Sequence, residues 1–312
     1  MNIIKKIGRL SDVRWTLGFV RGGMQTVMEG DHLDVDWVKM SKDRWYADPF
    51  VLDVTDDEIL LLAEDFGYDI RKGVISLLHI KRKSMEIVSR KVLLELPTHL
   101  SFPAIWRKNG HIYVYPENAN SGRLDMYEYD AVKEELTFVK TICDDVVWDS
   151  YITEAFGETL MFTAAHNDWH LDIYSYDPKK ERFVAYELID SQKPNSRLGG
   201  AVFVYDGQVY YPAQENSKTY GGAIDIKRID DRLKMIDESH LDAAHLDALR
   251  LEQRFSVETV KHIESPHPKM KLGMHTMNEY KGVVVIDVKG YRYGKLGAMI
   301  SKLIRKLKKY NR

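Results

Sequence analysis

The fold is decided by the stretch WYADPFVL at residues 45–52, in which the polar Asp48 precedes a short apolar strand. A polar turn follows, and then a second apolar run at 59–63 that ends in Glu64. A third run, GVISLLH at 73–79, comes after another turn. Short apolar runs bounded by turn residues, with hardly a helical period among them, are typical of antiparallel strands. These residues therefore predict one unit of an all-β fold.

The same unit recurs along the chain. Its five copies begin at Asp48, Ser101, Asp149, Arg197 and His275, so their starts are spaced 53, 48, 48 and 78 residues apart. A four-stranded unit repeated about every fifty residues is typical of a β-propeller, in which each unit forms one blade and ring closure protects the sheet edges. We predict a five-bladed β-propeller. An open solenoid is the alternative, although the sequence shows no capping repeats.

The chain divides into three parts on this interpretation. Residues 1–40 close the ring, through strands near 15–20 or 33–40 that pair into the last blade. Residues 41–292 form the propeller, and its long last spacing contains a helical insertion at about 230–256, before the last blade, where apolar residues recur at helical spacing. Residues 293–312 form a basic amphipathic C-terminal helix.

The first strand of every blade lines the central channel of a propeller, so the residues that open the units converge on one pocket. This first ring consists of Asp48, Ser101, Asp149, Arg197 and His275. A second ring close by consists of the residues that end the second strands, Glu64, Glu117 and Gln214. Buried carboxylates beside an arginine and a histidine must be paired or change their pKa, which favours ligand binding or chemistry. Loop capping at the propeller mouth is the alternative for each residue.

Aromatic side chains accompany the first aspartate. Trp45 and Tyr46 directly precede Asp48 and supply flat apolar faces of the kind on which sugar rings stack. Packing between blades is the alternative for both rings.

Several of these segments carry a resemblance to known families. ADP at 47–49 resembles the opening of the first blade in the five-bladed glycosidase clan of arabinanases, β-xylosidases and invertases. A closer similarity, over about residues 40–290, is to the propeller domain that precedes the transferase domain of plant glucosamine inositolphosphorylceramide transferases, and to stand-alone bacterial chains of surface-polysaccharide synthesis. It rests on WYADPF (45–50), GVI (73–75), HLSFP (99–103), YPE (115–117), YPAQ (211–214) and YGGAI (220–224).

The resemblance to the glycosidase clan implies a base on the first blade, a second aspartate on the third blade that tunes it, and a glutamic acid on the fourth. Asp48 and Asp149 match the first two positions, but the fourth blade opens with Arg197. Arginine stays charged and cannot protonate the leaving group of an ordinary glycoside. Either Glu117 or Glu64 supplies that proton, or the leaving group is a phosphate or nucleotide diphosphate that Arg197 stabilises.

We therefore predict a carbohydrate-active enzyme of surface polysaccharide or glycolipid biosynthesis. It transfers a sugar, with a furanose as one option, from an activated donor such as a nucleotide sugar to a glycan or glycolipid acceptor. The candidate catalytic residues are Asp48 as base, Asp149 and Glu117; the candidate substrate-binding residues are Arg197, His275, Glu64, Gln214, Ser101, Tyr46 and Trp45. An atypical glycoside hydrolase with Glu117 as acid and a non-catalytic glycan-binding propeller are the alternatives.

The composition of the chain bears on other possible partners and sites. The 45 basic and 47 acidic residues give a formal net charge of -2, which argues against nucleic-acid binding through bulk charge. The single cysteine, Cys143, excludes an internal disulfide and fits a reducing compartment. No cofactor or metal site is predicted, since His166 and His170 lie in a loop-like segment. A channel cation near His275 is compatible with the sequence but nothing in it demonstrates one.

The C-terminal helix predicts a second partner. Residues 296–309 place apolar side chains on one helical face and lysine or arginine on the others, as in helices that lie on an anionic membrane surface. Packing on the propeller and docking onto a protein are the alternatives. Residues 1–10 do not read as a secretory signal, so we expect a cytoplasmic protein that can attach to the inner membrane leaflet.

Overall fold

The structure is a computed structural model that describes residues 11–165, 170–189, 197–232 and 254–310. Within these ranges the chain forms five four-stranded antiparallel sheets, which are the blades of one propeller. The predicted all-β class, the five blades and the C-terminal helix are confirmed.

The strands follow the predicted units closely. In chain order they are β1 (Val13–Val20), β2 (Val35–Trp37), β3 (Arg44–Val54), β4 (Glu58–Gly67), β5 (Gly73–Lys81), β6 (Glu86–Leu94), β7 (Ser101–Lys108), β8 (His111–Glu117), β9 (Leu124–Asp130), β10 (Glu135–Cys143), β11 (Trp148–Thr153), β12 (Leu160–Ala164), β13 (Leu171–Asp177), β14 (Arg182–Ile189), β15 (Phe203–Tyr205), β16 (Gln208–Glu215), β17 (Ala223–Asp231), β18 (Phe255–Glu264), β19 (Met277–Tyr280) and β20 (Val283–Tyr291). The first four blades are β3 to β6, β7 to β10, β11 to β14 and β15 to β18.

The fifth blade joins the two ends of the chain. Its strand order is β19, β20, β1, β2, so the N-terminal segment supplies two strands and the C-terminal part the other two. Eight consecutive residue pairs, from Val13 with Tyr291 to Val20 with Val284, link β1 to β20. Hydrogen bonding between the chain ends therefore closes the ring, which protects strand edges that would otherwise be open.

The apolar runs of the strands are continuous because both faces of a blade are buried. Phe50 and Leu52 of β3 pack in the cluster toward the second blade, whereas Val51 between them packs in the cluster toward the last blade. Leu62 and Leu61 of β4 divide in the same way. Alternate side chains of one strand thus fill two different cores, which removes the apolar-polar alternation of a half-exposed sheet.

The predicted helical insertion belongs to the fourth blade. β17 and β18 pair along their length, from Ala223 with Glu264 to Asp231 with Phe255. The connection that holds the insertion therefore lies between the third and fourth strands of this blade, and not between two blades. Residues 233–253 lie outside the described residues, so their helical content stays a prediction.

Helices are few in the described part of the chain. They are α1 (Gly23–Glu29), α2 (Gly294–Tyr310) and a short 3-10 helix at Ala119–Ser121. Neither α1 nor α2 is long and apolar enough to cross a membrane.

Candidate active site at the centre of the ring

Two aspartates reach the ring centre because the first strands of their blades are irregular. The ladder between β3 and β4 is interrupted at Asp48, and the ladder between β11 and β12 is interrupted at Asp149. Both residues have a φ of 48°. Aspartate tolerates this left-handed region better than bulky residues do, because its short polar side chain can bond locally. The two carboxylates, 5% and 3% exposed, leave the ladder and meet groups from other blades.

Asp48 is held by groups from two neighbouring blades. The hydroxyl of Thr276 donates to its Oδ1 over 2.7 Å, and the backbone N–H of Phe102 donates to its Oδ2 over 3.2 Å. The Nε2 atom of His275 lies 3.6 Å from Oδ1. The carboxylate is therefore fixed in position, with an ionisable ring beside it.

Asp287 anchors this arrangement from behind. Its Oδ1 accepts the backbone N–H groups of His275 and Thr276 over 3.1 and 3.0 Å and the ring Nδ1–H of His275 over 2.9 Å. Its Oδ2 accepts the backbone N–H of Asp48 over 3.1 Å. We did not predict Asp287 from the sequence. The signal was present, because Asp287 follows the apolar run 283–286 as Glu64 follows the run 59–63.

Burial and charge set the protonation of this group. Burial raises the pKa of Asp48 to about 7, with further increases from Glu64, Asp149 and Asp287, although the charge of His275 opposes them. Burial alone would lower the pKa of His275, but the charges of Asp287 and Asp48 raise it above its usual value. Asp48 is therefore poised to gain or lose a proton near neutral pH.

A second group surrounds Asp149. Its Oδ2 accepts hydrogen bonds from Nε of Arg197 over 2.5 Å and from Nε2 of Gln214 over 2.7 Å. Nη2 of Arg197 also lies 3.4 Å from Oε2 of Glu117. The carbonyl Oε1 of Gln214 is buried without a hydrogen-bond partner among the described residues. It is therefore an unused hydrogen-bond acceptor within this group.

Glu117 has the protonation behaviour of an acid. Burial and the neighbouring charge of Asp149 raise its pKa well above the usual value, and the attraction of Arg197 does not cancel this. Burial acts against the charge of Arg197, but Asp149 and Glu117 keep its pKa well above the ordinary range. The pair therefore consists of a protonated carboxyl next to a permanent cation.

A third group lines the side of the pocket at the first blade. Oε1 of Glu64 lies 3.2 Å from Nε2 of His99, and the backbone N–H of Gly73 donates to Nδ1 of that ring over 2.9 Å. The hydrogen bond to Glu64 raises the pKa of His99. Trp45 stacks on Phe66 with ring centroids 4.6 Å apart, and Phe66 lies 6.4 Å from the His99 ring. Trp45 thus belongs to an aromatic wall beside Glu64.

The ring of Tyr220 lies close to both the group around Asp48 and the group around Asp149. Its ring centroid is 5.5 Å from that of His275 and 5.9 Å from the guanidinium carbon of Arg197, and the residue is 49% exposed. The buried Lys289 donates to its backbone oxygen and lies between the rings of Tyr220 and Trp15. Burial lowers the pKa of Lys289 to about 8, although Asp287 opposes this. Tyr220 belongs to the YGGAI stretch that carries the family resemblance, although we predicted no role for its ring, and Lys289 and Trp15 left no recognisable signal of a role in the site.

Glycine at position 221 lets this loop approach the site. Its φ is +56°, and a Cβ there would lie 2.7 Å from Cβ of His275. Only glycine fits both the backbone conformation and the space. The Tyr220 ring is therefore held against the pocket by close backbone packing.

The structure brings most of the predicted residues together, with two differences. Tyr46 lies in the packed cluster of Leu17 and Val38, where its ring serves blade packing. Ser101 starts β7 opposite Glu117, but the irregular position equivalent to Asp48 in that blade is the buried Phe102, with a φ of 42°. His166 lies outside the described residues.

The ring centre offers few free ligand atoms to a cation in the channel. Asp48, His275 and Asp287 offer ligand atoms within 4.8 Å of one another. However, the oxygens of Asp287 already accept four N–H groups, and Nδ1 of His275 is one of the donors. Oδ1 of Asp48 in turn accepts the hydroxyl of Thr276 and lies 3.6 Å from Nε2 of His275, whereas calcium takes six to eight oxygen ligands. The group therefore fits a hydrogen-bonded charge pair better than a metal centre.

The sequence of this chain matches the profile of a known protein family. The sequence profile of the family described as glucosamine inositolphosphorylceramide transferase 1, N-terminal, matches residues 38–242. The match includes Asp48, Glu117, Asp149 and Arg197, whereas His275 and Asp287 of the fifth blade lie beyond it.

Two plant proteins named glucosamine inositolphosphorylceramide transferase 1 are similar to this chain. The protein from Oryza sativa subsp. indica is 25% identical over 198 residues, which cover 60% of this chain and 26% of the rice protein. The protein from Arabidopsis thaliana is 26% identical over 197 residues, which cover 59% of this chain and 25% of that protein. The aligned part thus spans about a quarter of the length of these curated relatives.

Solved structures add support for the fold alone. A structure described as a glycoside hydrolase aligns with 78% of this chain and 54% of its own, with a TM-score of 0.50 and 12% sequence identity. At this identity the likeness concerns the propeller and carries no information about a reaction.

Proposed function

The chain belongs to the glucosamine inositolphosphorylceramide transferase 1 N-terminal family, and we propose on this basis that its ring centre is a catalytic site of glycolipid or glycan assembly. The site transfers a sugar from an activated donor, such as a nucleotide sugar, to a hydroxyl of a glycolipid or glycan acceptor. The plant relatives are named glucosamine inositolphosphorylceramide transferase 1, and this name, which contains both a sugar and a lipid, supports a glycolipid acceptor.

One observation carries the proposal: the buried carboxyl group of Asp48 and the largely buried carboxyl group of Glu117 have different protonation behaviour. Asp48 has a pKa of about 7, and Glu117 has a pKa well above its usual value. Pairs of acids whose environments separate their pKa values are a common basis for assigning a base and an acid. Asp48 is the base, and Glu117 is the acid.

The two roles give a balanced reaction. Asp48 takes the proton of the acceptor hydroxyl while that oxygen forms a bond to the anomeric carbon of the donor sugar. The bond from this carbon to the leaving oxygen breaks, and Glu117 gives its proton to that oxygen or donates a hydrogen bond to it. Thr276 and the N–H of Phe102 hold Asp48, and Arg197 holds Asp149 and Glu117.

The charges of the pocket bear on the leaving group. Arg197 already donates to Asp149 and Glu117, so part of its hydrogen-bonding capacity is used inside the protein. This favours Glu117 over Arg197 as the group that serves the leaving oxygen. The half-exposed ring of Tyr220 and the free acceptor of Gln214 are suited to an uncharged sugar ring with hydroxyl groups.

A second candidate function, glycoside hydrolysis, is favoured by the same raised pKa of Glu117. Protonation of the leaving oxygen is what ordinary glycosides need and what a diphosphate leaving group does not. In this alternative, Asp48 activates a water molecule instead of an acceptor hydroxyl. A glycan-binding propeller without turnover is the remaining alternative.

The test is a product assay with the whole protein. We incubate it with a panel of nucleotide sugars together with inositolphosphorylceramide or oligosaccharide acceptors and analyse the products by mass spectrometry. The proposal expects an acceptor that has gained one sugar mass. Release of free sugar from simple glycosides without a nucleotide donor would favour hydrolysis, and calorimetric glycan binding with no product would favour a binding module.

The variant Glu117→Gln separates the two enzymatic roles further. If Glu117 donates a proton, this change should reduce turnover of substrates with poor leaving groups by roughly 100-fold or more. Substrates whose leaving group departs without protonation should lose much less. Equal losses for both kinds of substrate would remove the acid role from Glu117.

A further inference from the structure

The C-terminal helix α2 follows a strand that ends on the same side of the ring as the candidate active site. β20 begins at Val283, which pairs with Tyr280 at the end of β19, the first strand of the fifth blade. It passes Asp287 and ends at Tyr291. Arg292, just after it, stacks on the ring of Tyr68 at 3.6 Å. Tyr68 lies in the β4–β5 turn, a few residues beyond Glu64 of the pocket. We call this side of the ring the pocket side.

The outward face of α2 combines apolar and basic side chains. Leu296, Met299 and Leu303, at spacings of three and four residues, are 47%, 65% and 56% exposed. Lys302 and Lys306 lie on the same side of the helix and are exposed, whereas Gly297, almost half a turn away, is buried. Large apolar side chains turned to solvent beside lysines are unusual for a helix that only packs on its own fold.

The charge of this segment is opposite to that of the remaining chain. Residues 294–310 contain six lysine or arginine residues and no aspartate or glutamate. Since the whole chain has a formal net charge of -2, the rest of it sums to -8. The positive charge is therefore a local feature of α2. An anionic lipid surface complements both its charge and its apolar side chains.

Other exposed apolar side chains lie on the pocket side as well. Ile70 in the β4–β5 turn is 51% exposed, Tyr220 at the pocket is 49% exposed and Tyr293 before α2 is 44% exposed. The far side of the ring also has exposed apolar residues, Val132 at 94% and Val204 at 60%, but no helix of this charge accompanies them. This statement concerns the described part of the chain.

We propose that α2 lies flat on an anionic lipid bilayer and turns the pocket side of the ring toward the lipid headgroups. The apolar side chains of Leu296, Met299 and Leu303 enter the interface between headgroups and acyl chains, and the lysines bind the acidic headgroups. Docking in this orientation needs no catalysis, so it does not depend on the proposed transfer reaction. If that reaction does take place, the orientation presents a membrane-embedded acceptor to Asp48.

Vesicle flotation tests the docking. The full chain should float with vesicles of equal parts phosphatidylcholine and phosphatidylserine and stay behind with vesicles of phosphatidylcholine alone. The double variant Met299→Asp, Leu303→Asp should lose flotation at least tenfold. The matched control Val132→Asp, Val204→Asp adds the same charge on the far side and should float like the unchanged protein. The variants Lys302→Gln and Lys306→Gln should each weaken binding to the anionic vesicles about fivefold.

Two results would overturn the docking: equal flotation with both kinds of vesicle, or equal losses in the helix variant and its far-side control. The variant Asp48→Asn should float normally, which separates a failure of docking from a failure of the proposed reaction. Circular dichroism melts of each variant show whether the ring is still folded.

The orientation has its own test. Cys143 is fully buried, so a cysteine introduced at Ile70 or Val132 can be labelled selectively with an environment-sensitive fluorophore. Anionic vesicles should shift the emission of the Ile70→Cys label to the blue and leave the Val132→Cys label unchanged. The reverse pattern, or equal shifts, would contradict a membrane-facing pocket side.

Discussion

The guanidinium Nε of Arg197 lies 2.5 Å from Oδ2 of Asp149, and both side chains are buried at the ring centre. The fourth blade therefore contributes to the ring centre a cation that binds a carboxylate of the third blade. Arg197 places a positive charge against the buried carboxylate of Asp149, and it lies close enough to Glu117 to restrain that side chain too. This relationship links the stability of the pocket to its chemistry.

The stability cost of losing Arg197 should be large. Arg197→Met leaves Asp149 buried without its cation, and the free energy of unfolding should fall by about 3–5 kcal/mol. Arg228→Met, which removes a more exposed cation from pairs with Asp230 and Glu258, should change it by about 1 kcal/mol or less. Urea unfolding measures both.

A double variant tests whether the cost comes from the unpaired carboxylate. Adding Asp149→Asn to Arg197→Met should restore about 2 kcal/mol or more of the loss. Strictly additive losses would mean that the two residues do not act as a pair.

Asp287 should be far more important for folding than its place in the sequence suggests. Asp287→Asn replaces an acceptor of four N–H groups, so the free energy of unfolding should fall by about 3–5 kcal/mol. The same replacement at Asp53, whose partner Lys281 is on the surface, should cost about 1 kcal/mol or less. NMR titration should also show a lower pKa for His275 in the Asp287 variant. An unchanged His275 would contradict the anchoring role.

The raised pKa of Asp48 predicts how stability depends on pH. The folded protein holds this proton up to about pH 7, whereas an unfolded chain releases it near pH 4. Between these values the folded state binds more protons, so ionisation of Asp48 lowers the stability as the pH rises. The stability of the wild type relative to Asp48→Asn should therefore fall across this window, by at most about 1.4 kcal/mol per pH unit, and level off above it. Urea melts at a series of pH values measure it, and a constant difference would rule out the raised pKa.

The fold could be predicted because one unit repeats. The polar residue and apolar strand at Asp48, Ser101 and Asp149 recur at nearly constant spacing, and each copy contains the first strand of one blade. The continuous apolar runs follow from blades that are buried on both faces. The location of the insertion inside the fourth blade depends on which strand β18 pairs with, and β18 is too polar to be recognised from its own sequence.

The site was predictable in part for the same reason. Asp48, Arg197 and His275 open their blades, and strands that open blades converge by symmetry. The contacts of Tyr220 and Lys289 come from a loop and from the last residues of β20, where side-chain directions depend on packing between distant segments. Tyr46 packs between blades and does not face the pocket. The strand is irregular at Asp48, so the simple alternation of side chains along a strand does not predict which neighbour of Asp48 faces the pocket.

The most direct test of the central claim is the turnover of Asp48→Asn with an identified donor and acceptor. We expect the turnover rate to fall by roughly 100- to 10,000-fold, because the variant keeps the shape of the side chain but cannot accept the acceptor's proton. Substrate binding, measured by calorimetry, should change little, and Asp53→Asn should turn over like the wild type. Undiminished transfer by Asp48→Asn would contradict the assignment of Asp48 as the base.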